Sequence, residues 1–172
     1  MKKEYIGLIG ALMVVLLIIV SFISYNEWPL ITGKKIVLAT HPIDPFDPFR
    51  GQYITINYEI SRVNNNKDFK EGDWVYVSLK EDEQGVWRMQ NISSMAFERG
   101  DFIKGKVSRA YGKEMWIEYG IEQFFFERNA KLPTQNITIE VSVASSGRAK
   151  ISQLLQNGKP VEIKYEKFDI KS

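Results

Sequence analysis

The chain has 172 residues, 44% hydrophobic and 26% charged, a composition that belongs to folded proteins and excludes a disordered one. Its 23 basic and 21 acidic residues leave a formal net charge of +2, and no basic run exceeds two residues, so the concentrated basic face of a nucleic-acid binder is absent. There is no cysteine and one histidine, His41. Disulfides, thiolate metal sites and cysteine nucleophiles are therefore excluded, as is a zinc site with two histidines, and any Ser-His-Asp triad has to run through His41.

The first element is "YIGLIGALMVVLLIIVSFISY", residues 5–25. It carries no charge over about twenty residues, which at a rise of about 1.5 Å each crosses a hydrocarbon core of about 30 Å. The run is longer than the apolar region of a signal peptide and ends without a small-x-small cleavage pair, so it predicts a retained anchor. Tyr5 at one end, and Tyr25 and Trp28 at the other, suit the two interfaces. Lys2 and Lys3 abut the span, whereas Lys34 and Lys35 lie further from its other end. That asymmetry predicts a cytoplasmic N-terminus and an extracytoplasmic remainder. Gly7 and Ala11, four apart, form a small-residue step where a second helix can approach. Residues 26–33, with Pro29 and Gly33 as breakers, read as a short tether.

From residue 34 onward the period is two. "KKIVLAT" is a short strand. "QYITINYEISR" reads as one long strand with Ile54, Ile56, Tyr58 and Ile60 on the apolar face. "DWVYVSLK" sets Val75, Val77 and Leu79 against Trp74, Tyr76 and Ser78. "VWRMQNI", "FIKGKVS", "MWIEY", "QFFFE", "ITIEVSVA" and "PVEIKYEKF" follow, separated by Gly, Asn and Asp clusters. "AKISQLLQNG" fits either a strand or a short helix ended by Asn157-Gly158. The predicted architecture is an all-β domain, sandwich or barrel-like, behind one N-terminal transmembrane helix. Its divisions are a cytoplasmic 1–4, an anchor 5–25, a tether 26–33 and an extracytoplasmic domain 34–172.

Several residues invite a chemical reading. Asp44 and Asp47 each precede proline in "DPFDPFRG". Proline holds its neighbour extended and aspartate caps turns, so the stretch predicts a stiff double turn. A cation site there would need more oxygen ligands than two aspartates supply. Arg50 is placed to pair with one of these aspartates or with an anion. In "YGIEQFFFE", Gly120 predicts a bulge or close backbone approach, Phe124 and Phe126 share a face opposite Phe125, and Glu122 pairs with Arg50 or a ligand. Trp74, Tyr76, Trp87 and Trp116 suggest either cross-strand packing or a sugar-stacking platform. "SSMA", residues 93–96, faintly resembles the serine motif of signal peptidases, with Ser94 as the nucleophile, but no lysine partner follows at a familiar spacing.

The octapeptide "GQYITINY", Gly51 to Tyr58, resembles the signature of the GDYXXLXY family of membrane-anchored bacterial proteins. "DPFDPFRG", "GDWVYVSL", "FIKGKV", "IEYGIEQFFFE" and "VSVASSGRAKISQLLQNGK" resemble the family's other blocks, so the likeness covers roughly residues 40–160. Gln52 stands where the family has aspartate, Ile56 where it has leucine, and "FERNA" where it favours Pro-Glu-Gly. Gln52 removes a carboxylate that a catalytic reading would need. The resemblance implies a single-span anchor with an extracytoplasmic β domain, acting as a non-enzymatic accessory of a polytopic membrane protein, with no cofactor. It marks Asp44, Asp47, Arg50, Gly51, Gln52, Tyr53, Tyr58, Tyr119, Gly120 and Glu122 as the motif residues. A glycan-binding module of the cell envelope is the alternative reading, and a signal-peptidase-like hydrolase is a more distant one.

Overall fold

The computed structural model describes residues 3–41, 53–126, 130–131, 133, 136–162 and 164–165. Among these residues one α-helix precedes a domain built of strands. The helix, α1, spans Lys3–Thr32, and its stretch Gly7–Thr32 is apolar enough to cross a membrane. Its side chains from Gly7 to Tyr25 are exposed on every side, as an apolar helix without a protein partner must be.

Of the residues read as a tether, 26–32 are helical. Pro29 sits inside α1, buried. A proline within a helix cannot donate to the carbonyl four residues earlier. Here that carbonyl belongs to Tyr25, and Arg148 Nη1 donates to it instead at 3.1 Å. The Arg148 guanidinium also lies 3.9 Å from the centre of the Tyr25 ring. The Pro29 carbonyl accepts from the Gly33 N–H at 2.9 Å and from Ser142 Oγ at 2.6 Å. Lys150 pairs with Glu27. Gly33 is required at the corner, because a Cβ there would fall 2.3 Å from the Pro29 carbonyl and 2.6 Å from Ser142 Oγ. Pro29 breaks nothing because a distant arginine replaces the missing donor, and the end of α1 is bolted to the domain.

The strands are β1 (Lys34–Ala39), β2 (Tyr53–Thr55), β3 (Arg62–Asn64), β4 (Trp74–Glu81), β5 (Trp87–Ser93), β6 (Asp101–Tyr111) and β7 (Glu114–Glu118). They continue as β8 (Gln123–Phe125), β9 (Ala130–Lys131), β10 (Ile137–Val143), β11 (Ala149–Gln156), β12 (Lys159–Pro160) and β13 (Lys164–Tyr165). Nine form one sheet in the order β12-β11-β10-β1-β5-β4-β6-β7-β3, and β2–β8 and β9–β13 form two small ribbons. The large sheet is mixed: β1 and β5 run parallel, meeting at Leu38 and Trp87, while its other pairs are antiparallel.

One face of this sheet supplies a single contiguous core, including Ile36 and Leu38 of β1, Val75 and Val77 of β4, Ile103 and Val107 of β6, and Ile139 and Val141 of β10. A sheet whose inner residues all meet in one core has to curl. The curl is fastened where the Lys104 N–H of β6 donates to the Gly147 carbonyl in the β10–β11 turn at 2.8 Å, and where Lys34 pairs with Asp101 at 2.8 Å. The domain is thus barrel-like.

Two sequence expectations are modified. The long strand "QYITINYEISR" is broken: β2 pairs with β8, Tyr58 bridges Thr40, a 3-10 turn occupies Glu59–Ser61, and β3 pairs with β7. Its apolar face survives the break, since Ile54, Ile56, Tyr58 and Ile60 are all buried. The ambiguous "AKISQLLQNG" is a strand, β11, and Asn157-Gly158 is a hairpin turn with both φ angles positive, 51° and 76°.

Candidate functional site

The two sequence blocks singled out above meet in space. β2 runs antiparallel to β8 with Tyr53 opposite Phe125, Ile54 opposite Phe124 and Thr55 opposite Gln123. The Ile56 N–H donates to the Glu122 carbonyl at 2.7 Å. Two tyrosines then cross-link the blocks. Tyr58 Oη donates to the Ile121 carbonyl at 2.7 Å, and Tyr119 Oη donates to the Ile60 carbonyl at 2.7 Å. Burial, and after it the nearby Glu122 charge, push both phenols above their ordinary range, so they remain protonated donors.

Gly120 turns the chain with φ +79°. The Glu122 carboxylate accepts from the Tyr119 N–H and, at 2.9 Å, from the Gly120 N–H. Glu122 therefore caps its own turn. Asp44, Asp47, Arg50, Gly51 and Gln52 lie outside the described residues, so the double turn and the Arg50 pairings do as well.

Between the β2–β8 ribbon and the edge of the large sheet lies an open cleft of about 450 Å³. Its walls are Thr55 and Asn57 from one motif, Gly120, Glu122 and Gln123 from the other, and Ser61, Ser108, Trp116 and Glu118. Ser108 reaches it through a β-bulge, where the register slips between Val107 and Arg109. Ser108 Oγ makes only a long bond, 3.4 Å, to the Trp116 carbonyl. Ser61 Oγ is buried with no hydrogen-bond partner among the described residues. The lining holds two carboxylates and no basic side chain, so it disfavours anions and suits a neutral, hydroxyl-bearing ligand.

The other candidates are dispersed. His41 is exposed, and its backbone N–H donates to the Asn57 carbonyl at 2.8 Å. Ser94 is exposed, Ser93 Oγ accepts from the Met95 N–H, and Lys67 donates to the Ile92 carbonyl. No described lysine is bonded to either serine. Among the described residues no group of three or more His, Asp or Glu is placed to hold a metal ion. The four aromatic candidates do not form one platform. Trp74 and Tyr76 are on the outer face of β4, Trp87 is in the core, and Trp116 borders the cleft. Phe124 and Phe126 pack on the core and Phe125 faces outward, as the alternation predicts. Sequence reading missed Ser61 and Ser108. A bulge and a 3-10 turn each shift the parity of a strand, and neither has a marked signature here.

An apolar helix continuous with a barrel-like β domain defines the class of architecture. Within it the chain belongs to the GDYXXLXY family, whose model, described as GDYXXLXY protein, matches residues 15–154. That description specifies no catalytic activity. Neither a curated protein nor a solved structure is detectably similar to the chain.

Proposed function

We propose that the protein is a non-enzymatic, single-pass protein of the bacterial cell membrane, with a cytoplasmic N-terminus, whose β domain serves as an accessory of another integral membrane protein. The observation that carries this reading is the junction at Pro29. The end of α1 is held by Ser142, Arg148 and Lys150, so the domain has a set orientation relative to its anchor. A catcher of soluble ligands gains nothing from such fixing, whereas a subunit that meets a partner in the same bilayer does. Tyr25, Glu27 and Pro29 are also tied to the domain, which favours an anchor over a cleaved leader.

The test is capture of the full-length protein in mild detergent, with a photo-crosslinker at Gln123 on the lip of the cleft or at Leu17 on α1. A polytopic membrane protein is expected in the crosslinked band. Recovery of the monomer alone from both positions sinks the proposal.

A second reading, binding of an envelope glycan, has its own support in the Trp116 wall and the unbonded Ser61 hydroxyl. It expects the detergent-solubilised chain to sediment with peptidoglycan, and Trp116→Ala to weaken this by roughly tenfold, a loss of the order of one stacked aromatic. Failure to sediment removes this reading.

A further inference from the structure

The outer face of β4 and β6, beside the cleft wall at Glu118, carries a second feature. Trp74 is 56% exposed there. The Lys104 ammonium lies 4.4 Å, and that of Lys106 5.9 Å, from the centre of its ring. Neither lysine makes an ion pair with a described residue. Glu118 stands opposite Lys106 in the register without a salt bridge to it, and the Asp73 carboxylate accepts from the Lys70 N–H. The patch therefore presents two lysines, unpaired among the described residues, around an exposed indole.

Its position gives it meaning. Lys104 is the residue whose N–H fastens β6 to Gly147. The next residue, Arg148, lies on the ring of Tyr25, the last residue of the uncharged run. Lys104 is thus linked, through Gly147 and the Arg148 side chain, to the end of the uncharged run. Indoles and lysines are the side chains that settle at the headgroup level of a bilayer. The attraction of basic residues to an anionic surface fades within a Debye length, about 8–10 Å, so it acts only on a patch held close. The bolted end of α1 fixes the position of the patch relative to the span.

We propose that Trp74, Lys104 and Lys106 form a lipid-docking patch that takes the phosphates of anionic headgroups in the bilayer crossed by α1. The proposal rests on the membrane-spanning reading of α1.

The test uses the full chain in nanodiscs of phosphatidylcholine, with or without phosphatidylglycerol, carrying a headgroup spin label as quencher. The Trp74 signal is the difference between the full chain and Trp74→Phe. It is expected to be quenched about threefold more strongly in the anionic discs. Lys104→Gln with Lys106→Gln should abolish that difference without lowering the melting temperature. Equal quenching in both discs, or a difference that survives the double substitution, overturns the patch. So does protection of Trp74 by soluble polyphosphate without any effect of phosphatidylglycerol, which would make it a site for a soluble polyanion. A chain that does not stay with the discs overturns the anchor reading itself, a result separable from unquenched Trp74 in a retained chain.

Discussion

Tyr58 and Tyr119 show what single residues contribute. Each hydroxyl satisfies a buried carbonyl of the other block, at Ile121 and at Ile60. Tyr58→Phe keeps the ring and leaves the Ile121 carbonyl without its donor, which should lower stability by about 1–3 kcal/mol in urea unfolding. Tyr119→Phe should cost about the same, and an unchanged midpoint for both would refute the cross-link. Both tyrosines are legible in the sequence as motif residues, but their role is not, because a backbone carbonyl can belong to any residue. Glu140 adds a dependence on pH. Burial alone would raise its carboxyl, but hydrogen bonds from Lys35, Ser152 and Gln153, with the Lys35 charge, outweigh burial and hold it below the ordinary range. Its contribution is therefore present above the unfolded-state value, about 4.3, and is lost as pH falls through the lower folded-state value. Glu140→Gln should flatten the acid limb of a plot of Tm against pH. An unaltered limb would place the acid sensitivity elsewhere.

At the scale of elements, the junction between α1 and the domain is the least legible feature. Pro29 and Gly33 are breakers by local rule. The rule holds at Gly33, where α1 ends, and fails at Pro29 because Arg148, over a hundred residues later, supplies the donor that proline lacks. Arg148→Ala should leave the Tyr25 carbonyl bare and loosen the last turn of α1. Hydrogen exchange of residues 30–33 should then quicken by about tenfold, equivalent to one lost hydrogen bond of about 1.4 kcal/mol. Gly33→Ala should do more, since its Cβ would clash with the Pro29 and Val143 backbone as well as with Ser142 Oγ. Exchange at the wild-type rate in both variants would mean that the junction is held by other contacts. The broken strand after Gln52 follows the same logic. Alternation fixes which side chains face the core, and it says nothing about which strand each segment pairs with.

For the whole molecule, period-two patterning was enough to read the class of fold and most of the core. Ile54, Ile56, Val75, Val77 and Leu79 are buried as their alternation requires. The curl of the sheet was not readable, because it depends on contacts such as Lys104 with Gly147 that join distant turns. The cleft was half readable. Thr55 and Asn57 stand on the polar face of their segment, while Ser61 and Ser108 reach it through a turn and a bulge.

The place of β1 in the sheet has a consequence for how the chain is made. β1 is made before every other described strand, directly behind α1, yet its neighbours are β5 and β10. Its ladder of six pairs is with β10, ending at Val143, and its pairing to β5 is a single register point. The strand that adjoins the helix must therefore wait, with one edge open, until most of the polypeptide has been synthesised. Such long-range closure is slow to form, and an open apolar edge invites pairing with other chains. A chain interrupted before Ile137 should be degraded or aggregated in a pulse-chase, whereas one interrupted after Gln156 should persist. Assembly of this domain is thus a late event, timed by the arrival of β10.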